Sequence, residues 1–156
     1  MNIFEFAIKM EIDGENYYKE QAEINKDNSL NTVFLMLAKD EKIHARVLQQ
    51  KANQQAYDLS ENETLSEAKN IFKNMEFKQT PDQLRVYRSA LQNEQDSIDL
   101  YRTYLSEVTD DESKQLFEYL IKQEEDHYII LEELVLLVSR AEEWVESAEF
   151  GTREQY

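Results

Sequence analysis

With 156 residues the chain is sized for a single domain with a substantial core, and two glycines and one proline leave too little turn chemistry for a sheet protein. A formal charge of −16 excludes nucleic-acid binding by counterion release and disfavours anionic membrane surfaces. The absence of cysteine excludes disulfides, thiol catalysis and cysteine-ligated zinc or iron–sulfur centres.

Glu, Lys, Gln, Leu and Ala dominate, so the expected fold is all-α. The first predicted helix runs from about Ile3 to Asn25, with Phe4, Ala7, Glu11, Gly14 and Tyr18 along one seam at steps of three and four. Lys26 to Ser29 forms a turn, with Asn28 or Ser29 available as an N-cap. A second helix extends to about Tyr57 and carries Phe34, Leu37, Glu41, His44 and Leu48 on its seam. Asp58 to Pro81 is less regular. Within it, Thr64 to Phe77 shows a shorter amphipathic pattern in Leu65, Ala68, Ile71, Phe72 and Met75, read as a short helix laid across the bundle. Thr80-Pro81-Asp82 opens the third long helix, whose seam is Tyr87, Ala90, Glu94, Ser97 and Tyr101. After the acidic turn Val108 to Glu112, the fourth carries Phe117, Leu120, Glu124, His127, Leu131, Leu134 and Val138 and extends to about Ala148. The expected organisation is one bundle over residues 1–148 and a frayed tail over 149–156.

The chain repeats itself at an offset of 83 without a gap. Ala7 meets Ala90, Tyr18 meets Tyr101, Asp27 meets Asp110, Phe34 meets Phe117, Leu37 meets Leu120 and Leu48 meets Leu131. Two copies of a helical hairpin joined by a long crossover imply a four-helix bundle with an internal pseudo-two-fold axis.

The same frame matches Glu11, Glu41 and His44 to Glu94, Glu124 and His127, and these are the chain's two histidines. In each half a Glu is followed 30 residues later by Glu-x-x-His. Three residues along a helix is about one turn and roughly 60° of rotation, so each Glu–His pair can reach one ion. All six lie on apolar seams, where unpaired charge is costly, and four carboxylates balance two divalent cations. Two Glu plus two Glu-x-x-His is the ligand set of di-iron carboxylate bundles. Carboxylate and imidazole without thiolate suit iron or manganese, and zinc also fits; two iron ions are the expected cofactor.

Tyr18 and Tyr101 lie two turns beyond Glu11 and Glu94 and are the candidate catalytic residues, each phenol able to hydrogen-bond and orient a ligating carboxylate. A core tyrosine satisfied elsewhere fits the pattern equally. Gly14 and Ser97, one turn beyond the same glutamates, leave room beside the metals or allow close helix packing.

On the segments Glu11 to Tyr18, Lys39 to His44, Glu94 to Tyr101 and Gln123 to His127, the chain resembles rubrerythrin-type members of the ferritin-like superfamily over about residues 3 to 140. The resemblance implies a pair of ferrous ions that reduces hydrogen peroxide, or dioxygen more slowly, to water. It implies Glu41 and Glu124 as bridging ligands, Glu11 and Glu94 as terminal ones, and one histidine per ion. The chain departs from full-length rubrerythrins in lacking the four cysteines of their rubredoxin-like domain, so a separate electron-donor protein is expected. It also has Ser97 where they carry an additional carboxylate.

The expected function is a di-iron oxidoreductase reducing peroxide or dioxygen. The alternatives are a ferroxidase that handles iron, and a non-catalytic metal-binding partner module. Leu65, Ile71, Phe72 and Met75, with Trp144, Val145 and Phe150, are candidates for a partner surface or for coverage of the bundle's ends, with homodimer packing next. The N-terminal residues do not read as a signal peptide and no apolar run spans a membrane, so a cytoplasmic location is expected.

Overall fold

A computed structural model describes residues 2–77 and 81–154, apart from the side chains of Pro81 and of residues 141–154. Five helices make up the regular structure among the described residues: α1 (Ile3–Ile24), α2 (Leu30–Ala52), α3 (Thr64–Lys73), α4 (Pro81–Glu107) and α5 (Asp111–Glu154). The helices α1 and α2 pack against each other, as do α4 and α5, while α3 lies against α2 and α5. This is the expected arrangement of two hairpins and a crossover, packed as a ferritin-like bundle.

Local capping sets the boundaries. Asn2 accepts a hydrogen bond from the Glu5 backbone N–H at 2.8 Å and starts α1. At the start of α2 the Asn28 side chain accepts from the Leu30 N–H at 2.8 Å, while Ser29 makes no side-chain cap. Asp110 accepts from the Ser113 N–H at 2.9 Å to open α5, and that bond holds its carboxyl below the usual range.

Two ends differ from expectation. The second helix stops at Ala52 rather than Tyr57, because Gln54 adopts φ 58°. The Gln54 N–H bonds the Lys51 carbonyl at 3.2 Å and the Gln55 N–H bonds the Gln50 carbonyl at 2.8 Å, a Schellman closure. Glycine usually occupies that left-handed position; a glutamine there gives no signal in sequence. At the other end α5 continues to Glu154, past Ala148 and through most of the expected tail. Glu, Ala and Arg sustain the helix there, and one glycine, Gly151, does not end it.

Two apolar clusters divide the core. One contains Tyr18, Phe34, Leu37, Tyr87, Leu131 and Leu134 and is capped by α3, from which Ala68 and Phe72 are buried and Leu65 and Ile71 pack against it, with Met75 just beyond the helix. The other contains Ala7, Leu48, Tyr101, Phe117 and Leu120. Repeat partners thus fall in opposite clusters: Phe34 with Phe117, Leu37 with Leu120 and Leu131 with Leu48, all 0% exposed. Each such side chain contributes about 1.5–3 kcal/mol through burial. The crossover residues offered as a partner surface therefore cover the bundle itself. The side chains of Trp144, Val145 and Phe150 lie outside the described residues.

Candidate metal centre

Between the two clusters the structure brings together all six residues singled out from the repeat. Glu11, Glu41, His44, Glu94, Glu124 and His127 are each 5% exposed or less. They form two overlapping groups, Glu11–Glu41–His44–Glu124 and Glu41–Glu94–Glu124–His127, in each of which one ligand atom per residue lies within 4.8 Å of the others. Glu41 and Glu124 belong to both.

Both imidazoles point Nδ1 inward. His44 Nδ1 lies 3.2 Å from Glu124 Oε1 and 3.4 Å from Glu11 Oε2. His127 Nδ1 lies 2.9 Å from Glu41 Oε1 and 3.5 Å from Glu124 Oε2. The ring centroids are 5.9 Å apart. Helical spacing explains the convergence: each Glu-x-x-His presents both side chains from one face, and the pseudo-two-fold sets the two faces against each other.

The tyrosines cross between hairpins. Tyr18 on α1 donates its hydroxyl to Glu94 Oε1 on α4, and Tyr101 on α4 donates to Glu11 Oε1 on α1 at 2.5 Å. Burial, then the neighbouring carboxylates, push both phenols well above their ordinary pKa, so both remain donors.

Each histidine is held from behind by a residue that sequence reasoning passed over. His127 Nε2 donates to Asp40 Oδ2 at 2.9 Å, and His44 Nε2 donates to Gln123 Oε1 at 3.2 Å. Gln123 Oε1 also accepts from Asn62 Nδ2 at 2.6 Å, which ties the crossover to the centre. Asp40 and Gln123 are repeat partners, one residue before Glu41 and Glu124. Two polar residues matched by the offset and set on the apolar seam were the available signal.

Electrostatically the cluster takes four carboxyls and two imidazoles out of water. Burial drives the Glu11, Glu41 and Glu94 carboxyls upward, Glu41 and Glu94 well above the usual range, and neighbouring carboxylates add to it. Burial opposes ionisation of Glu124 too, yet hydrogen bonds from Glu94, His127 and His44 hold it well below that range. Burial also works against charge on both histidines, but Glu11 and Glu124 raise His44 to about 10, and Asp40 with the glutamates holds His127 well above its ordinary range. Protonated imidazoles and shared carboxyl protons are what balance the charge when no cation is bound.

Several buried atoms still find no adequate hydrogen bond: Glu11 Oε2, Glu41 Oε1, Glu94 Oε2, Glu124 Oε2 and His127 Nδ1. Buried polar atoms are rarely left so. These converge on the two overlapping groups, and their donor chemistry, hard oxygen with imidazole nitrogen, fits divalent first-row metals. The cluster is able to hold metal.

Gly14 is explained by contact. A Cβ there would stand 2.7 Å from Glu41 Oε2, so the glycine makes room for that carboxylate. Ser97, in place of a further carboxylate, bonds the Asn93 carbonyl at 3.0 Å and lies 3.5 Å from Met10 Sδ.

Among the described residues no helix is long and apolar enough to cross a membrane. No curated protein and no solved structure matches the chain significantly. The family model for rubrerythrin matches residues 2–135, most of the chain and all six clustered residues. The chain belongs to the rubrerythrin family.

Proposed function

We propose that this protein is a di-iron oxidoreductase that reduces hydrogen peroxide or dioxygen with electrons from a separate donor protein. The observation that carries this reading is the pair of overlapping groups that share Glu41 and Glu124, each a set of four buried residues with ligand atoms within 4.8 Å of one another. Glu41 and Glu124 would bridge two ions; Glu11 with His44 and Glu94 with His127 would complete the separate positions, each histidine through Nδ1. Bound iron would supply two electrons, one from each ferrous ion, and Lewis acidity toward the oxygen substrate. Manganese or zinc fits the same donors.

The chain's own groups do the rest. Tyr18 and Tyr101 fix the rotamers of Glu94 and Glu11. Asp40 and Gln123 fix which histidine nitrogen faces inward. The two apolar clusters exclude bulk water from above and below. These 156 residues hold no cysteine to ligate an electron-passing iron, which supports the reading of a separate donor.

The test is anaerobic loading with ferrous iron, a metal count per chain, and near-ultraviolet absorption after peroxide or dioxygen is added. Two irons oxidised rapidly by peroxide support the reductase reading. Oxidation by dioxygen alone, with continued uptake beyond two, moves the assignment to iron storage; no stable binding removes it.

A further inference from the structure

A cavity of about 510 Å³ opens between α1 and α4 and reaches the centre at Glu41 and Glu94. Phe6, Met10, Tyr17 and Leu100 give it a largely apolar lining, interrupted by Asn93, Asp96, Ser97 and the Lys9–Asp13 pair at 3.0 Å. Pockets for small organic ligands span about 300–1,000 Å³ and combine apolar walls with a few convergent polar groups. Hydrogen peroxide fills roughly the space of two waters, about 60 Å³, so neither the volume nor the apolar walls answer to it.

We infer that this cavity binds the organic part of an alkyl hydroperoxide, with the peroxy end delivered to the metal centre at Glu41 and Glu94; the inference rests on the peroxide-reduction reading above. Three features select the class. Asp13 and Asp96 stand on the lining of a chain of net charge −16, which disfavours fatty acids and other organic anions. The walls favour an apolar body over a sugar or nucleotide. Ser97 lies on the cavity wall, and its short uncharged side chain leaves open a passage that a larger carboxylate would narrow.

The reaction balances as ROOH plus two electrons and two protons giving ROH and water. The O–O bond breaks, the electrons come one from each ferrous ion, the protons come from solvent, and the donor protein restores the electrons.

The first measurement avoids the metal. Metal-free protein is titrated with 2-phenyl-2-propanol, the alcohol formed from cumene hydroperoxide, and binding is followed by ligand-detected NMR. Saturable binding that Ser97→Trp markedly weakens is expected, because the indole occupies part of the cavity. Leu100→Ala, which removes part of a wall, should weaken it as well. The second measurement compares single-turnover oxidation of ferrous-loaded protein by cumene hydroperoxide and by hydrogen peroxide. The organic peroxide should lead by about tenfold, the effect of burying one or two methylene groups, and Ser97→Trp should collapse that ratio. Absence of saturable binding, or a ratio at or below one in the wild-type protein, overturns the inference. Binding of the alcohol without oxidation by either peroxide instead removes the reductase reading and leaves an apolar ligand site.

Discussion

Asp40 on one hairpin holds His127 on the other, Oδ2 to Nε2 at 2.9 Å, with both side chains buried. Its repeat partner Gln123 does the same for His44, but with a neutral amide at 3.2 Å. The bundle is therefore symmetric in its proposed ligands and asymmetric in what stands behind them. A carboxylate behind an imidazole raises its basicity more than an amide does, and loss of such partners typically costs about 10–100-fold in metal affinity. Asp40→Ala should weaken the Glu94–His127 position by that order and leave the Glu11–His44 position nearer its original strength. Anaerobic titration with cobalt(II), read by calorimetry, checks this: a single class of weakening shared equally by both ions would refute it.

The contrast with Asp40 shows what was legible in the sequence. Periodicity and the 83-residue offset placed six residues on facing seams, because a helix repeats its face regardless of tertiary detail. They also named Tyr18 and Tyr101, which sit on the same seams. What stayed hidden depends on the relative placement of the two hairpins. That each tyrosine reaches the carboxylate of the other hairpin, and that Asp40 backs the distant histidine rather than His44 four residues on, are facts about packing. The end of α2 was hidden for a local reason, since a glutamine took the left-handed position that glycine usually signals.

The crossed tyrosines give the next expectation. In Tyr18→Phe, Glu94 Oε1 loses its donor while remaining buried, and in Tyr101→Phe the same happens to Glu11 Oε1. Each substitution should destabilise the protein by about 1–3 kcal/mol, the usual result of stranding a buried acceptor. The two should be nearly equal because the pseudo-two-fold relates them. Denaturant unfolding of metal-free protein measures both; a neutral effect in either would mean that the hydroxyl is not holding the carboxylate.

Gly14 sets stability against function. Within α1, alanine is favoured over glycine by about 1 kcal/mol. A new Cβ would meet the far end of the flexible Glu41 side chain at 2.7 Å, so the carboxylate can swing away at low cost. Gly14→Ala should raise the melting temperature of the metal-free protein and lower its metal stoichiometry or affinity, because Glu41 belongs to both groups. A variant that is more stable and binds metal as before would show that Glu41 tolerates the displacement.

Stability and metal affinity should respond to pH in opposite directions. In the metal-free fold His44 is raised from 6.5 to about 10, so it keeps a proton that the unfolded chain gives up. That contribution is complete below the unfolded value and is lost as pH rises through about 10. His127 and the raised carboxyls of Glu11, Glu41 and Glu94 act with the same sign, the native state holding more protons than the unfolded one. Glu124, held low, contributes stability that is lost only as pH falls through its folded value, well to the acid side of this window. Metal-free protein should therefore lose stability as pH rises from about 6.5 to about 10. Metal binding must displace the same protons, so affinity should rise over that range and proton release should accompany uptake. Denaturant midpoints of the metal-free protein, set beside calorimetry in buffers of different ionisation enthalpy, read the two trends separately. Parallel trends would mean that the cluster's protons and the bound metal do not compete for the same atoms.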